Sequence, residues 1–479
     1  MLNKVNCFIA DQSPEHTQQL VNQLKDNSSV NEIYVLSVNE CSYHNATCIM
    51  VNNLTSSDTL RKIAACVDTA YCLFILNEQQ VSLGQYAVDR LLQVAELTAS
   101  VMTYADYLEV KDNITAPHPT IDYQLGSVRD DFDFGPLQLY HAAAIGEYLE
   151  DMEETTYAAF YGLRLQASRL GKIFHLPELL STKQESDKRQ SGEKQFDYVN
   201  PMQRERQQEM EQVCTNHLLY MGAKLAEEEF QPIAFDGEFP VEATVVIPVR
   251  NRIKTIKDAV DSVLSQECDF RFNLIVVDNH SADGTKELLE SYSDERLIVV
   301  TPETKDLGIG GCWNIAAHHE MAGRFLIQLD SDDLYYDNST IQQIVDKFYE
   351  ENCAMVIGSY QMCNFDLEEI APGIIDHAEW TSENGANNAL RVNGLGAPRA
   401  FYTPVFRSIR IPNTSYGEDY AMGLAISRNY KIGRIYHPIY RCRRWEDNSD
   451  ASLDIIKQNT HNQYKDTIRT IELISRIRR

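Results

Sequence analysis

Apolar residues along this chain fall into two patterns that alternate. Short unbroken runs of aliphatic and β-branched residues at 244–249, 274–277, 297–300 and 325–329 read as strands buried on both faces. Between the first two, residues 256–264 carry apolar positions at helical spacing. Strands alternating with helices predict an α/β fold with a parallel sheet, whose ligands gather at the carboxyl ends of the strands.

The same alternation occupies the first half. Residues 5–10 begin it as a strand, 17–24 follow as an amphipathic helix, 32–38 form the next strand, and 72–76 take the place of 325–329. Residues 135–140 parallel 397–402 and, more loosely, 101–104 parallel 356–360. Tyr157-Ala158-Ala159-Phe160-Tyr161 aligns with Tyr416-Gly417-Glu418-Asp419-Tyr420, and the step from Tyr161 to Ser168 equals that from Tyr420 to Ser427. This self-similarity predicts an internal duplication, with domains over 1–235 and 236–479. Residues 181–194 read as an exposed loop, 202–225 as a long polar helix and 227–240 as a linker. A terminal helix carries the stripe Tyr464, Ile468, Ile471 and Ile474, with Arg469, Arg476, Arg478 and Arg479 nearby. It is expected to pack on the second domain, the alternative being a membrane surface beside a lipid-linked acceptor.

Candidate chemistry sits at the strand ends. Leu329-Asp330-Ser331-Asp332-Asp333 sets carboxylates i, i+2 apart after an apolar run, a spacing that can share a hard cation with nucleotide phosphates. Asp131-Phe132-Asp133 has the same form but no strand before it, and reads as a solvated turn. Upstream lie Pro248-Val249-Arg250 and Asp278-Asn279-His280, then the run from Asp306 to Asn314 with Gly308, Gly310 and Gly311; downstream comes Gly417-Glu418-Asp419. In this order the motifs resemble those of family 2 glycosyltransferases of the GT-A fold, over roughly residues 242–444.

That resemblance implies a GT-A catalytic domain preceded by a degenerate GT-A-like copy. It implies that Pro248, Arg250 and Asp278 line the base and ribose, with Gly308, Asn314 and Ser331 also on the nucleotide sugar. Asp330 would reach the ribose and metal region, and Asp332 the Mn2+ or Mg2+ itself. Asp419 would take the acceptor proton, with Glu418 beside it. The implied reaction is inverting transfer from a nucleoside-diphosphate sugar, UDP-sugar favoured, to a saccharide or lipid-linked acceptor in surface polysaccharide or glycoconjugate synthesis.

Several residues have plainer readings or depart from the pattern. Asp278 could cap the next helix, Glu418 and Asp419 could be first-turn acids, and Asp333 serves equally as a cap. The three glycines are either turn residues or a backbone approach to the donor. Relatives carry Ala-Arg-Asn where this chain has Cys312-Trp313-Asn314, and place a histidine where it has Trp445, before 446–449. The third protein metal ligand is therefore unassigned. His437, followed by Pro438, reads as structural, and Arg441, Arg443 and Arg444 as partners of the diphosphate or of nearby acids. In the first half Asn77 and Gln79 stand opposite Asp330 and Asp332, and Ala159 and Phe160 opposite Glu418 and Asp419. Such a copy has neither metal ligands nor a base, leaving it a packing, acceptor-recognition or dimerisation role.

Composition narrows the rest. A net charge of −27 argues against nucleic acid and against broad attraction to anionic lipid. No stretch approaches the ~20 apolar residues of a membrane span, and the amino terminus lacks signal-peptide character. Eleven cysteines without a C-x-x-C pair indicate neither zinc nor a disulfide framework. A cytoplasmic location follows as the expectation, or a peripheral one at the inner membrane face. Two other functions compete: a nucleotide-sugar-binding protein without turnover, which the three acids Asp330, Asp332 and Asp419 oppose, and a nucleotidyltransferase, which the absence of a glycine-rich loop at 248–252 opposes.

Overall fold

The computed structural model describes residues 3–185, 203–445 and 453–479. The expected stretches 186–194 and 446–449 lie outside the described residues. The chain forms two compact units, one of residues 3–185, 203–223 and 453–473, the other of 224–445 and 474–479.

Only the strands of the two large sheets are numbered. In the first unit these are β1 (Val5–Ala10), β2 (Val30–Ser37), β3 (Thr47–Met50), β4 (Tyr71–Ile75), β5 (Met102–Ala105), β6 (Gln138–His141) and β7 (Ile173–Leu176), in spatial order β3-β2-β1-β4-β6-β5-β7. β6 alone runs antiparallel to its neighbours. Period-2 alternation sends Val5, Cys7 and Ile9 into the core on one face and Phe8 into the core on the other. Helix Pro14–Lys25 starts where Ser13 accepts the His16 N–H with proline at the first position, and buries Leu20, Val21 and Leu24.

The second unit holds β8 (Ala243–Val249), β9 (Phe272–Asp278), β10 (Leu297–Val300), β11 (Phe325–Gln328), β12 (Met355–Cys363), β13 (Arg399–Tyr402) and β14 (Ile432–Arg443). Their order is β10-β9-β8-β11-β13-β12-β14, the first unit's order with seven added, and β13 is again antiparallel to its neighbours. Leu334–Tyr335 extends the sheet beside β14 and Glu369–Ile375 pairs with β12. Register follows the same scheme: Cys72 faces Tyr140 as Phe325 faces Tyr402. The looser equivalence slips, because Tyr104 faces Gln138 where Val356 faces Ala400. Strand pairing thus sets Tyr104, not Val101, opposite Val356.

The terminal helix, Ile455–Ile477, departs from its expected place. Through residue 473 it belongs to the first unit, where Gly126 donates its N–H to Thr470 Oγ1 at 2.9 Å and Ser127 Oγ donates to Asp466 at 2.9 Å. Its buried face keeps only Ile468 of the expected isoleucines, beside Leu473: Ile471 is 60 % exposed, whereas Asp466 and Arg469 are fully buried and ion-paired at 2.8 Å. Arg129 completes that pairing. Hydropathy patterns cannot find a helix face whose charges satisfy one another. Buried Arg469 and Arg476 are unavailable to a lipid surface. Asp131 and Asp133 stay largely exposed, as expected of a solvated turn, and pair with Arg129 and His118.

Candidate active site

β11 ends at Gln328, and that side chain organises the turn beyond it. Its Nε2 donates to Asp330 Oδ1 at 2.9 Å, and its Oε1 accepts the Arg399 backbone N–H at 3.1 Å. The Asp330 N–H reaches Tyr440 Oη at 3.1 Å. Solvent reaches Asp330, yet protein crowds its carboxylate; that burial raises its pKa, Arg399 and the Gln328 amide oppose, and Asp332 and Asp419 add to the rise. Asp333 is neither cap nor open ligand, since its Oδ1 accepts the Arg443 N–H at 2.8 Å. Burial raises its pKa well above the carboxylate range, with Asp332 and Asp330 adding.

Gly417 adopts a left-handed φ of 76° and starts helix Glu418–Ser427, setting both acids in its first turn. Asp419 Oδ2 lies 2.8 Å from Arg399 Nη1. Asp419, Asp330 and Glu418 all act electrostatically on this guanidinium, so the acids of both motifs converge on one cation. Glu418 is different in kind. It is buried, its Oε2 has no partner among the described residues, and burial followed by the charge of Asp419 pushes its pKa up to about 8, with Arg399 opposing. The raised pKa keeps it mostly protonated near neutral pH. Arg399 is the functional residue that sequence reasoning missed. A signal existed: Leu137 stands at its register in the first unit, apolar and buried, just as Asn77 stands against Asp330.

Pro248 is half-buried in β8 opposite Val277, and Arg250 is exposed just beyond it. Asp278 closes β9 fully buried; its Oδ1 accepts the Ser281 N–H at 3.1 Å, while Oδ2 has no partner among the described residues. Ser331 is buried within the acidic turn.

Gly308 and Asn314, expected on the donor, bond to a distant loop, while Asn314 Oδ1 has no partner among the described residues. Gly308 N–H donates to Asn413 Oδ1 at 2.8 Å, Gly310 N–H to Thr414 O at 2.9 Å, and Asn314 Nδ2 to Ile411 O at 2.8 Å. A Cβ on Gly310 would lie 1.8 Å from Pro412 O, so these glycines let helix Ile309–His318 dock against residues 411–415. That segment leads into Gly417-Glu418-Asp419, and the contacts position the acid pair. Trp313 is core, packed on Phe401 and Phe406.

The late basic residues are structural or adjoin the acids. His437 bonds Gln343 at 2.6 Å, and Arg441 lies over the Tyr336 ring. The Arg444 N–H donates to Cys363 O at 2.8 Å. Arg443 is buried, pairs with Asp258 at 2.9 Å and donates from Nε to the Asp332 carbonyl. Trp445 Nε1 donates to Asp332 Oδ2 at 3.1 Å. Asp330 and Asp332 thus each have one oxygen committed to a protein donor and one not. Two open hard oxygens suit a divalent cation that takes its other ligands from substrate phosphates and water. No group of three or more His, Cys, Asp or Glu able to hold a metal occurs among the described residues.

The profile of glycosyl transferase family 2 matches residues 244–411, which span β8 through β13 and the acidic turn. Residues 244–411 thus match the family that the motifs resembled. The numbered strands of the second unit's sheet run parallel but for β13, the α/β arrangement that the alternating pattern predicted. Similar curated proteins are the Escherichia coli UDP-Glc:alpha-D-GlcNAc-diphosphoundecaprenol beta-1,3-glucosyltransferase WfgD, 31 % identical over 25 % of this chain and 46 % of its own length. The putative teichuronic acid biosynthesis glycosyltransferase TuaG of Bacillus subtilis is 33 % identical over the same shares. The chain therefore spans less than half the length of these relatives. Among solved structures, S. aureus TarS 1–349 in complex with UDP has a TM-score of 0.35 at 22 % identity, covering 42 % of this chain and 60 % of that one.

Proposed function

We propose that the second unit transfers a sugar from a nucleoside-diphosphate donor, with UDP-sugar favoured, to a hydroxyl of a saccharide or lipid-linked acceptor, with inversion at the anomeric carbon. The observation that carries this reading is the convergence of Asp330, Asp419 and Glu418 on Arg399 at the carboxyl edge of the sheet. Asp419, ion-paired with Arg399, accepts the acceptor proton, a contribution of about 10²–10⁴-fold. Asp330 and Asp332 offer their open oxygens to Mn2+ or Mg2+, which neutralises the leaving diphosphate when bound. Asp278 presents its unpartnered Oδ2 to a donor N–H or hydroxyl, since a buried lone carboxylate oxygen is costly. Pro248 on β8 and Arg250 just beyond that strand flank it, and Ser331 lies buried within the turn.

The first unit fits the reading of a copy without activity. Phe160, in the place of Asp419, stacks edge-on against Phe74 at 5.5 Å and belongs to the core. All eleven cysteines are free, as suits a reducing compartment such as the cytoplasm. No described helix is long and apolar enough to cross a membrane. The names of the relatives, one a transferase to a diphosphoundecaprenol acceptor and one assigned to teichuronic acid, favour a role in surface polysaccharide synthesis.

The test is product analysis of the full chain with Mn2+ across a panel of UDP- and GDP-sugars. Release of nucleoside diphosphate with a glycosylated acceptor supports the reading. Pyrophosphate would indicate nucleotidyl exchange, and tight donor binding without any product would indicate a binding protein.

A further inference from the structure

Trp445 lies where three segments of the second unit meet. Its indole N–H donates to Asp332 Oδ2 at 3.1 Å. Indole nitrogen is a donor only, so it cannot itself ligate a cation. What it does is select an oxygen: with Oδ2 of Asp332 taken by Trp445 and Oδ1 of Asp330 taken by Gln328, each carboxylate presents one remaining oxygen. The ring also carries charge on its faces. The Arg252 guanidinium and the Lys254 ammonium both lie 5.8 Å from it, on the turn that follows β8 and its Pro248-Val249-Arg250. Phe365 meets the ring edge-on at 5.4 Å, and Arg443, over Phe365 at 4.7 Å, ties the same strand end to the Asp332 carbonyl and Asp333.

We propose that Trp445 is a positioning residue that sets Asp332 and the cationic turn Arg252–Lys254 around a single cation–diphosphate unit. This rests on the reading of the second unit as a nucleotide-sugar transferase. Two protein oxygens are too few for a hard divalent cation, which takes six or more, so the cation is held only together with the phosphates. Trp445 joins the two halves of that grip. Its N–H orients the carboxylate facing the cation, and its ring holds two positive charges where the diphosphate arrives, through contacts of the cation–π type.

The test uses the full chain and the variant Trp445→Phe, which keeps a ring and loses the N–H. Binding of UDP and of GDP is measured by calorimetry with and without Mn2+. In the wild type, Mn2+ strengthens nucleotide binding while Mn2+ alone binds weakly. In W445F that metal-dependent gain falls about tenfold or more, as expected for a hydrogen bond to a charged group, while metal-free nucleotide binding stays within about twofold. An unchanged gain overturns the proposal. So does an equal loss of metal-free binding, which would mark Trp445 as packing only. Tryptophan emission of the wild type supplies a second readout that does not depend on the variant folding. Mn2+ with nucleotide quenches it and Mn2+ alone does not; quenching by Mn2+ alone, or none with both, also overturns the proposal. A wild type that binds nucleotide with no metal dependence refutes instead the reading of Asp330 and Asp332 as cation ligands.

Discussion

Arg399 Nη1 stands 2.8 Å from Asp419 Oδ2 and hydrogen-bonds the Gly396 carbonyl at 2.7 Å, so the guanidinium is fixed by the backbone as well as by the acid. The carboxylate placed to take a proton thus lies beside Asp330 and Glu418 and is paired with one well-held cation. Arg399→Met is therefore expected to move the acidic limb of the pH–rate profile to higher pH, because an opposite charge nearby favours the ionised form. Transfer at pH 7 should fall by roughly 10²-fold, the low end of what a general base supplies. Arg399→Lys should recover part of the loss. A Met variant with an unshifted profile would remove Arg399 from the mechanism.

The two neighbouring acids should respond differently to the loss of charge. Asp419→Asn is expected to leave donor binding nearly intact and to reduce transfer by about 10²–10⁴-fold. Glu418→Gln should change transfer at pH 7 by only a few-fold, because a neutral amide replaces a carboxyl that is already protonated there. Calorimetry of donor binding beside single-turnover transfer separates the two effects. Loss of transfer in E418Q equal to that in D419N would make Glu418 part of the proton path.

Glu418 also ties stability to pH. Its pKa is about 8 in the folded chain against an ordinary 4.5, so between those values the folded state binds more protons than the unfolded one. Its contribution to stability is whole below about pH 4.5 and is lost as pH rises through 8. Glu418→Gln removes this titration. Thermal unfolding at pH 5, 7 and 9 should show the variant gaining on the wild type as pH rises. A constant difference would mean that Glu418 does not titrate in this window.

Much of the architecture could be read from the sequence because strands buried on both faces leave unbroken apolar runs. The runs at 244–249 and 325–329 fall on β8 and β11, and the acidic turn sits at the predicted strand end. Local pattern could not show what distant segments do to one another. Gly308 and Asn314 read as donor contacts, but the partners that claim them, Asn413 and Ile411, come from a loop roughly a hundred residues on. Arg399 was overlooked because an arginine on a short strand acquires meaning only when the sheet sets it beside Gln328 and the helix brings Asp419 to it. The terminal helix departs for a related reason: beside Ile468 and Leu473 its buried face carries charges that pair with Arg129 and with each other.

The first unit offers the clearest separation of stability from chemistry. Asn77 and Gln79 are half-buried, and neither can replace the hard anionic oxygens of Asp330 and Asp332. Asn77→Ala and Gln79→Ala should therefore leave the rate of sugar transfer unchanged within about twofold. Phe160→Ala should behave differently. Its ring packs against Phe74 in the core of that unit, and removing it leaves a cavity costing about 3 kcal/mol, the lower end for a phenylalanine because Phe160 is only half-buried. Denaturant unfolding would report that loss, while transfer measured per folded molecule stays near wild type. If transfer instead fell with Asn77→Ala at unchanged stability, the first unit would contain a working part of the site, and its description as an inactive copy would fail.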